Sequence, residues 1–108
     1  MKKWKVTFFS KKVRDEVSQL PIGILAKYAR LTTLMEAYGP NIGMPHTRYM
    51  GKGLVEMRLK ASEGIARVFY ATVVQHEIII LHSIIKKTDK TPKKDLDLAY
   101  ERLSEVQK

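Results

Sequence analysis

The sequence predicts an α+β fold of order β-α-α-β-β-β-α, a mostly antiparallel sheet with helices packed on one face. Three observations predict it. A short β-rich run opens the chain, two stretches of helical spacing follow up to a Gly-Pro stop, and three strand-like segments in close succession lead into a last amphipathic stretch. Residues 4–9 (WKVTFF) form the first strand. Ser10 is a suitable N-cap for a helix over residues 11–20, which ends before Pro21. From there Ile24, Tyr28, Leu31, Met35 and Tyr38, joined by Leu25 and Leu34, recur at helical spacing until Gly39-Pro40 stops them. The Tyr and Met stripe of this second helix reads as core packing against a sheet.

Residues 41–53 (NIGMPHTRYMGKG) are rich in Gly and Pro without a period and read as an exposed loop. Residues 54–60 then alternate, with Val55, Met57 and Leu59 on one face and Glu56, Arg58 and Lys60 on the other. Residues 65–74 and 77–85 are β-branched and apolar. The linkers 61–64 and 75–76 are short enough for hairpin turns, which makes this half an antiparallel meander. Thr91 caps a last helix with Pro92 at its first position, and Leu96, Ala99, Leu103 and Val106 form its apolar stripe. No repeat, low-complexity tract or second core interrupts the pattern, so a single domain over residues 1–108 is expected.

The 108 residues include 20 Lys and Arg against 11 Asp and Glu, a formal charge of +9. The excess is uneven. The first fourteen residues hold six basic side chains and no acid, and KKTDKTPKK at 86–94 sets five Lys against one Asp. A lone Lys pair is ordinarily a solvated surface, but two clusters on a chain of this charge point to a polyanionic partner. With no Cys, the chain is neither a disulfide scaffold nor a thiol enzyme nor a thiolate metal site. Its longest apolar runs, such as 77–85, are far short of a membrane span, and MKKW leads into alternation rather than a signal-peptide core; a cytoplasmic protein without a membrane partner is expected. His46, His76 and His82 lack metal-binding spacing, and no carboxylate cluster suits Mg²⁺. No phosphate loop, dinucleotide fingerprint or nucleophile elbow occurs, so neither metal nor cofactor is expected.

Turn geometry carries the argument to a site. A tight turn over 61–64 pairs Lys60 with Ile65 and sets Arg58 directly opposite Arg67. Like charges so placed cost roughly 0.2 to 1 kcal/mol unless an anion or carboxylate lies between them, and Glu56 is one candidate. If 75–76 is the second turn, Val74 pairs with Glu77, His82 faces Phe69 and Ile84 faces Arg67. His82 and Lys86 then share the arginines' face, and a slip of one residue would send half of this set to the core. On the functional reading, Glu56, Arg58, Arg67, His82 and the lysines from Lys86 onward line one cationic surface suited to a phosphate. RNA cleavage without a metal needs a base for the 2′-hydroxyl, cations for the phosphorane and an acid for the departing 5′-oxygen. Glu56 or a neutral Lys can serve as base and His82 as acid; His82 alone also reads as a strand histidine tied to backbone.

Three segments, GLVEMR at 53–58, ARVFY at 66–70 and LHSIIKKTDKTP at 81–92, resemble in order and spacing the HigB-type toxins, in the phage-derived HigB-like branch of the RelE and ParE superfamily. The resemblance spans residues 4–106. It implies the RelE-like fold and the toxin of a type II toxin-antitoxin module: a metal-independent endoribonuclease, or mRNA interferase, that cleaves mRNA on the ribosome, inhibits translation and growth, and is silenced by a helix-turn-helix antitoxin. By position Arg58 and Arg67 match basic residues placed around the scissile phosphate, and Lys86, Lys87 and Lys90 match the basic segment after the last strand. Lys60, on the same strand face as Arg58, is a further candidate for holding RNA. Some RelE-like nucleases use a Tyr from the C-terminal helix as acid or base; the corresponding positions here are Pro92 and Lys93, so that role falls elsewhere or is absent. ParE-like members share the fold and poison DNA gyrase. A gyrase-directed toxin and a non-catalytic basic RNA-binding module are therefore the alternatives, and the charges paired across one strand face favour the nuclease.

Overall fold

A computed structural model describes residues 3–43, 45–73, 76–86 and 90–107. The order of elements is β1 (Lys5–Phe8), α1 (Lys11–Ser18), α2 (Ile22–Tyr38), β2 (Thr47–Gly51), β3 (Leu54–Ala61), β4 (Gly64–Val73), β5 (Glu77–Lys86) and α3 (Lys93–Val106). The strands form one five-stranded sheet in the order β1-β5-β4-β3-β2. All neighbours are antiparallel except β1, which runs parallel to β5 at the edge.

The alternation in β3 decides what each face of the sheet does. Val55, Met57 and Leu59, with Ala66, Val68 and Tyr70 of β4 and Ile78 and Ile80 of β5, make one apolar face, against which α1 packs Val13 and Val17 and α2 packs Ile24, Tyr28, Leu31 and Met35. The stripe of α2 ends there: Tyr38 in its last turn is exposed rather than buried. The Tyr70 hydroxyl reaches past this core to donate to Pro40 O at 2.7 Å, and burial pushes its pKa well above the ordinary phenol value. Helices on one face describes α1 and α2, whereas α3 lies on the other. The opposite face presents Leu54, Phe69, Ala71 and the bulged Leu81 at one end, and this patch takes Ala99 and Leu103 of α3.

Capping follows local chemistry in α1 and tertiary structure in α2. Ser10 Oγ accepts from Val13 N at 3.2 Å, as an N-cap should. At the start of α2, the ring of Pro21 has no hydrogen-bonding group to offer. Glu63, in the turn between β3 and β4, reaches across instead, and its carboxylate accepts from Gly23 N at 2.8 Å.

Three expectations from sequence need correction. The segment 41–53 is not all loop, because β2 lies inside it and pairs Thr47 with Met57, Arg48 with Glu56 and Tyr49 with Val55. It turns back through three consecutive left-handed residues, Gly51 (φ 104°), Lys52 (φ 57°) and Gly53 (φ 96°). The glycines that read as loop punctuation are there because two of these three positions take φ values that a side chain resists. Second, Thr91 does not cap α3, which starts after Pro92 without a side-chain cap; its hydroxyl donates to Glu56 Oε2 at 3.2 Å. Third, the turn into β5 is one residue longer than expected, and Val73, not Val74, pairs with Glu77. Between Phe69 and Tyr70 the ladder slips by one residue, so Leu81 is extra on β5 and the expected pairs return: Phe69 with His82 and Arg67 with Ile84. Arg102 of α3 donates to Leu81 O at 2.7 Å and lies over the Phe9 ring at 5.3 Å, which fastens the helix at the bulge.

Candidate active site

The polar face of β3 is the origin of the site. Arg58 stands directly opposite Arg67 on β4, and Glu56, one alternate residue back along β3, stands opposite Arg48 of β2 on its other side. These four side chains therefore share one face of three adjacent strands. Arg67 Nη1 donates to Glu56 Oε1 at 2.9 Å, and only 8% of the Arg67 side chain and 4% of the Glu56 side chain are exposed. This is how the sheet tolerates two opposed arginines: one is neutralised by a diagonal carboxylate, and the other stays exposed. A buried ion pair adds little net stability once its desolvation cost is met, so its presence under an open surface favours a functional role over a purely structural one.

Above this pair opens a cavity of about 370 Å³. Its floor is Glu56 and Arg67, and its walls are Arg48, Arg58 and the turn at Pro45, His46 and Thr47. That turn is held in place by its own backbone: His46 N and Thr47 N both donate to Gly43 O at 3.0 Å, and Gly43 N donates to Thr47 Oγ1. Arg58 N donates to His46 O at 2.8 Å, which locks the turn against β3 and sets His46 beside Arg58. The result is a cleft with three guanidinium groups, one carboxylate and one imidazole. It can hold a phosphodiester by charge and offers groups that exchange protons.

Of the residues singled out from sequence, Glu56, Arg58 and Arg67 come together in this cavity, and Lys60 lines an adjoining one. His82 is on the same face but is not among the cavity's walls. Its Nε2 lies 2.8 Å from Asp95 Oδ1 in the first turn of α3, its ring stacks near Phe69 with centroids 6.3 Å apart, and it is 8% exposed. It is tied to a carboxylate rather than to backbone. Lys90 is exposed ahead of α3. Lys86 closes β5, and its side chain, like all of Lys87, lies outside the described residues. Sequence reasoning missed His46 and Arg48. The signal available for Arg48 was its place three residues before a Gly-x-Gly turn, which would have aligned it with Glu56 had the turn been read as a hairpin. Among the described residues, no three His, Asp or Glu side chains come close enough to hold a metal ion, and no helix is long and apolar enough to cross a membrane.

Fold and site together define a class: a small basic α+β protein whose mostly antiparallel sheet carries an arginine-lined cleft floored by a carboxylate. The chain belongs to the phage-derived protein Gp49-like family, whose model matches residues 15–104. Among solved structures it is similar to a double arginine-to-alanine mutant of the Escherichia coli toxin RelE in the free state, with a TM-score of 0.67, 9% identity, and coverage of 94% of this chain and 98% of that one. It is also similar to a chain of the archaeal RelE–RelB complex from Pyrococcus horikoshii, with a TM-score of 0.56, 18% identity, and coverage of 79% and 97%. At these identities the likeness is one of fold, and the fold is RelE-like. No protein of curated function matches the sequence significantly.

Proposed function

We propose that the chain is a HigB-type toxin of a type II toxin-antitoxin module, a metal-independent endoribonuclease that cuts mRNA, on the ribosome, and so arrests translation in the cytoplasm. Its partners are mRNA and a cognate antitoxin carrying a helix-turn-helix domain. The observation that carries the reading is the convergence of Arg48, Arg58 and Arg67 around Glu56 in one open cavity. Membership of a phage-derived family and the fold it shares with RelE support it, as does the pairing of RelE with RelB in the archaeal complex.

In this reading the scissile phosphate sits between Arg58 and Arg67. Glu56, positioned by Arg67 and Thr91, takes the 2′-hydroxyl proton as the 2′-oxygen attacks phosphorus. The two arginines, with Arg48, stabilise the added negative charge of the phosphorane, where fixed cations act most strongly. His46 gives a proton to the departing 5′-oxygen, leaving a 2′,3′-cyclic phosphate and a 5′-hydroxyl. His82 has a positioning role, holding the start of α3, and hence Thr91, against the sheet through Asp95. Lys60 and the lysines Lys86, Lys87 and Lys90 hold the RNA backbone.

The test is cleavage of mRNA in a translating extract and in growing cells. Wild-type protein shortens messages and leaves 2′,3′-cyclic phosphate ends, purified protein cuts free RNA in EDTA as well as without it, and Arg58→Ala lowers kcat on the order of 10²-fold. Intact messages with falling gyrase activity would move the protein to the ParE-like reading, and a cleavage of free RNA that EDTA abolishes would overturn the mechanism.

A further inference from the structure

A second cavity, of about 290 Å³, opens beside the first and is lined by Lys27, Pro45, His46, Arg58 and Lys60. The two share Pro45, His46 and Arg58, so they are two ends of one groove that meet at Arg58. The second end exists because β2 is short. Its pairing with β3 begins at Met57, Arg58 N makes the last bond to that side through His46 O, and beyond Arg58 β3 runs on as the edge of the sheet. Around that edge comes Lys27 from α2, a helix that otherwise packs on the opposite face. Lys27 and Lys60, far apart in sequence, thus stand on two sides of the same hollow, with Arg58 at the third. Among the described residues no carboxylate lines it, whereas the first cavity holds Glu56. An all-cationic hollow with an imidazole, continuous with a proposed phosphodiester site, matches a second anion on the same strand.

We propose that this hollow is a phosphate subsite for the nucleotide adjoining the cut, with Lys27 and Lys60 holding its backbone phosphate and Arg58 bridging it to the scissile one. The proposal rests on the reading of the first cavity as the site of the scissile phosphate. It defines the minimal substrate as an RNA with a charged phosphate beyond the cleaved bond on one side, and it gives α2 a part in substrate binding.

The experiment uses the full chain and short single-stranded RNAs blocked at the cut by a 2′-O-methyl group, each phosphate next to the cut being replaced in turn by a neutral methylphosphonate. Equilibrium binding of wild type should weaken about tenfold for replacement on one side only, the scale of one charge-assisted contact. The Lys27→Gln, Lys60→Gln double variant should bind the fully charged RNA about tenfold more weakly and lose much less than tenfold on that replacement, because of that phosphate's partners only Arg58 remains. Equal sensitivity on both sides, none on either, or losses that simply add would overturn the subsite, and the wild-type comparison reports even where the variant folds poorly. A double variant that binds RNA normally but an acidic antitoxin peptide more weakly would assign the hollow to the protein partner and overturn it too. The subsite and the nuclease reading fail separately: a wild type that discriminates between these RNAs but cuts no message keeps the subsite and loses the enzyme.

Discussion

Glu56 and Arg67 are the residues on which the site depends, and their burial makes the dependence measurable. Each is nearly sealed from water, so each needs the other. Arg67→Ala leaves the Glu56 carboxylate buried with Thr91 as a remaining partner, and urea unfolding is expected to reveal a loss of about 3 kcal/mol. Replacing both, Glu56→Leu with Arg67→Met, removes the uncompensated charge and should restore most of that stability while cleavage stays abolished. Equal destabilisation by the single and double changes would mean the pair matters for shape rather than charge. Arg58 differs from Arg67 in just this respect, since it is exposed and its loss should cost activity with little change in stability.

Among the elements, β2 contributes most to the site relative to its length. Five residues long and at the sheet edge, it places Arg48 opposite Glu56 and follows the turn that carries His46. Its return into β3 depends on Gly53 at φ 96°, where an added Cβ would also lie 3.1 Å from the flexible end of Gln107. Gly53→Ala should therefore cost about 1 to 2 kcal/mol, mainly through backbone strain, and lower cleavage by displacing β2. An unchanged melting temperature together with unchanged activity would sink the claim that this hairpin builds the cavity wall. The α3 helix is held differently, by Tyr100 donating to Met50 O at 2.8 Å, by Arg102 on Leu81 O, and by Asp95 on His82. Its contacts span β2 and β5, so it fixes both sides of the sheet face that carries the site.

For the whole molecule, the charge of +9 becomes a statement about where anions go. One sheet face is sealed by α1 and α2; the other is covered by α3 at one end only and carries Arg48, Arg58, Arg67 and Lys60 beyond it. If about four cations of this groove meet phosphates, the slope of log K against log salt should be roughly −3, and each cation replaced should reduce its magnitude by somewhat under one. Filter binding of a non-cleavable RNA from 50 to 300 mM salt, roughly the range over which such slopes are read, measures it. A flat response would separate the charge from RNA altogether.

The sequence by itself determined the α+β class, the helix cap at Ser10, the alternation in β3 and the opposition of Arg58 and Arg67, because these rest on local propensity and on the strict period of two in a short hairpin. It also placed His82 opposite Phe69, although by a route the structure alters: the longer turn and the bulge at Leu81 offset each other. What only the tertiary structure decided is what surrounds those residues. Whether Gly51, Lys52 and Gly53 close a hairpin depends on backbone angles that composition does not reveal, so β2, Arg48 and the placement of His46 were not legible. That Thr91 turns to Glu56 instead of capping α3, that Asp95 takes His82, and that Lys27 comes round the sheet edge to line one cavity with Lys60 are juxtapositions of residues 13 to 35 positions apart. Such juxtapositions are fixed by how layers stack on the sheet, and a one-dimensional pattern records only which face each strand residue will offer them.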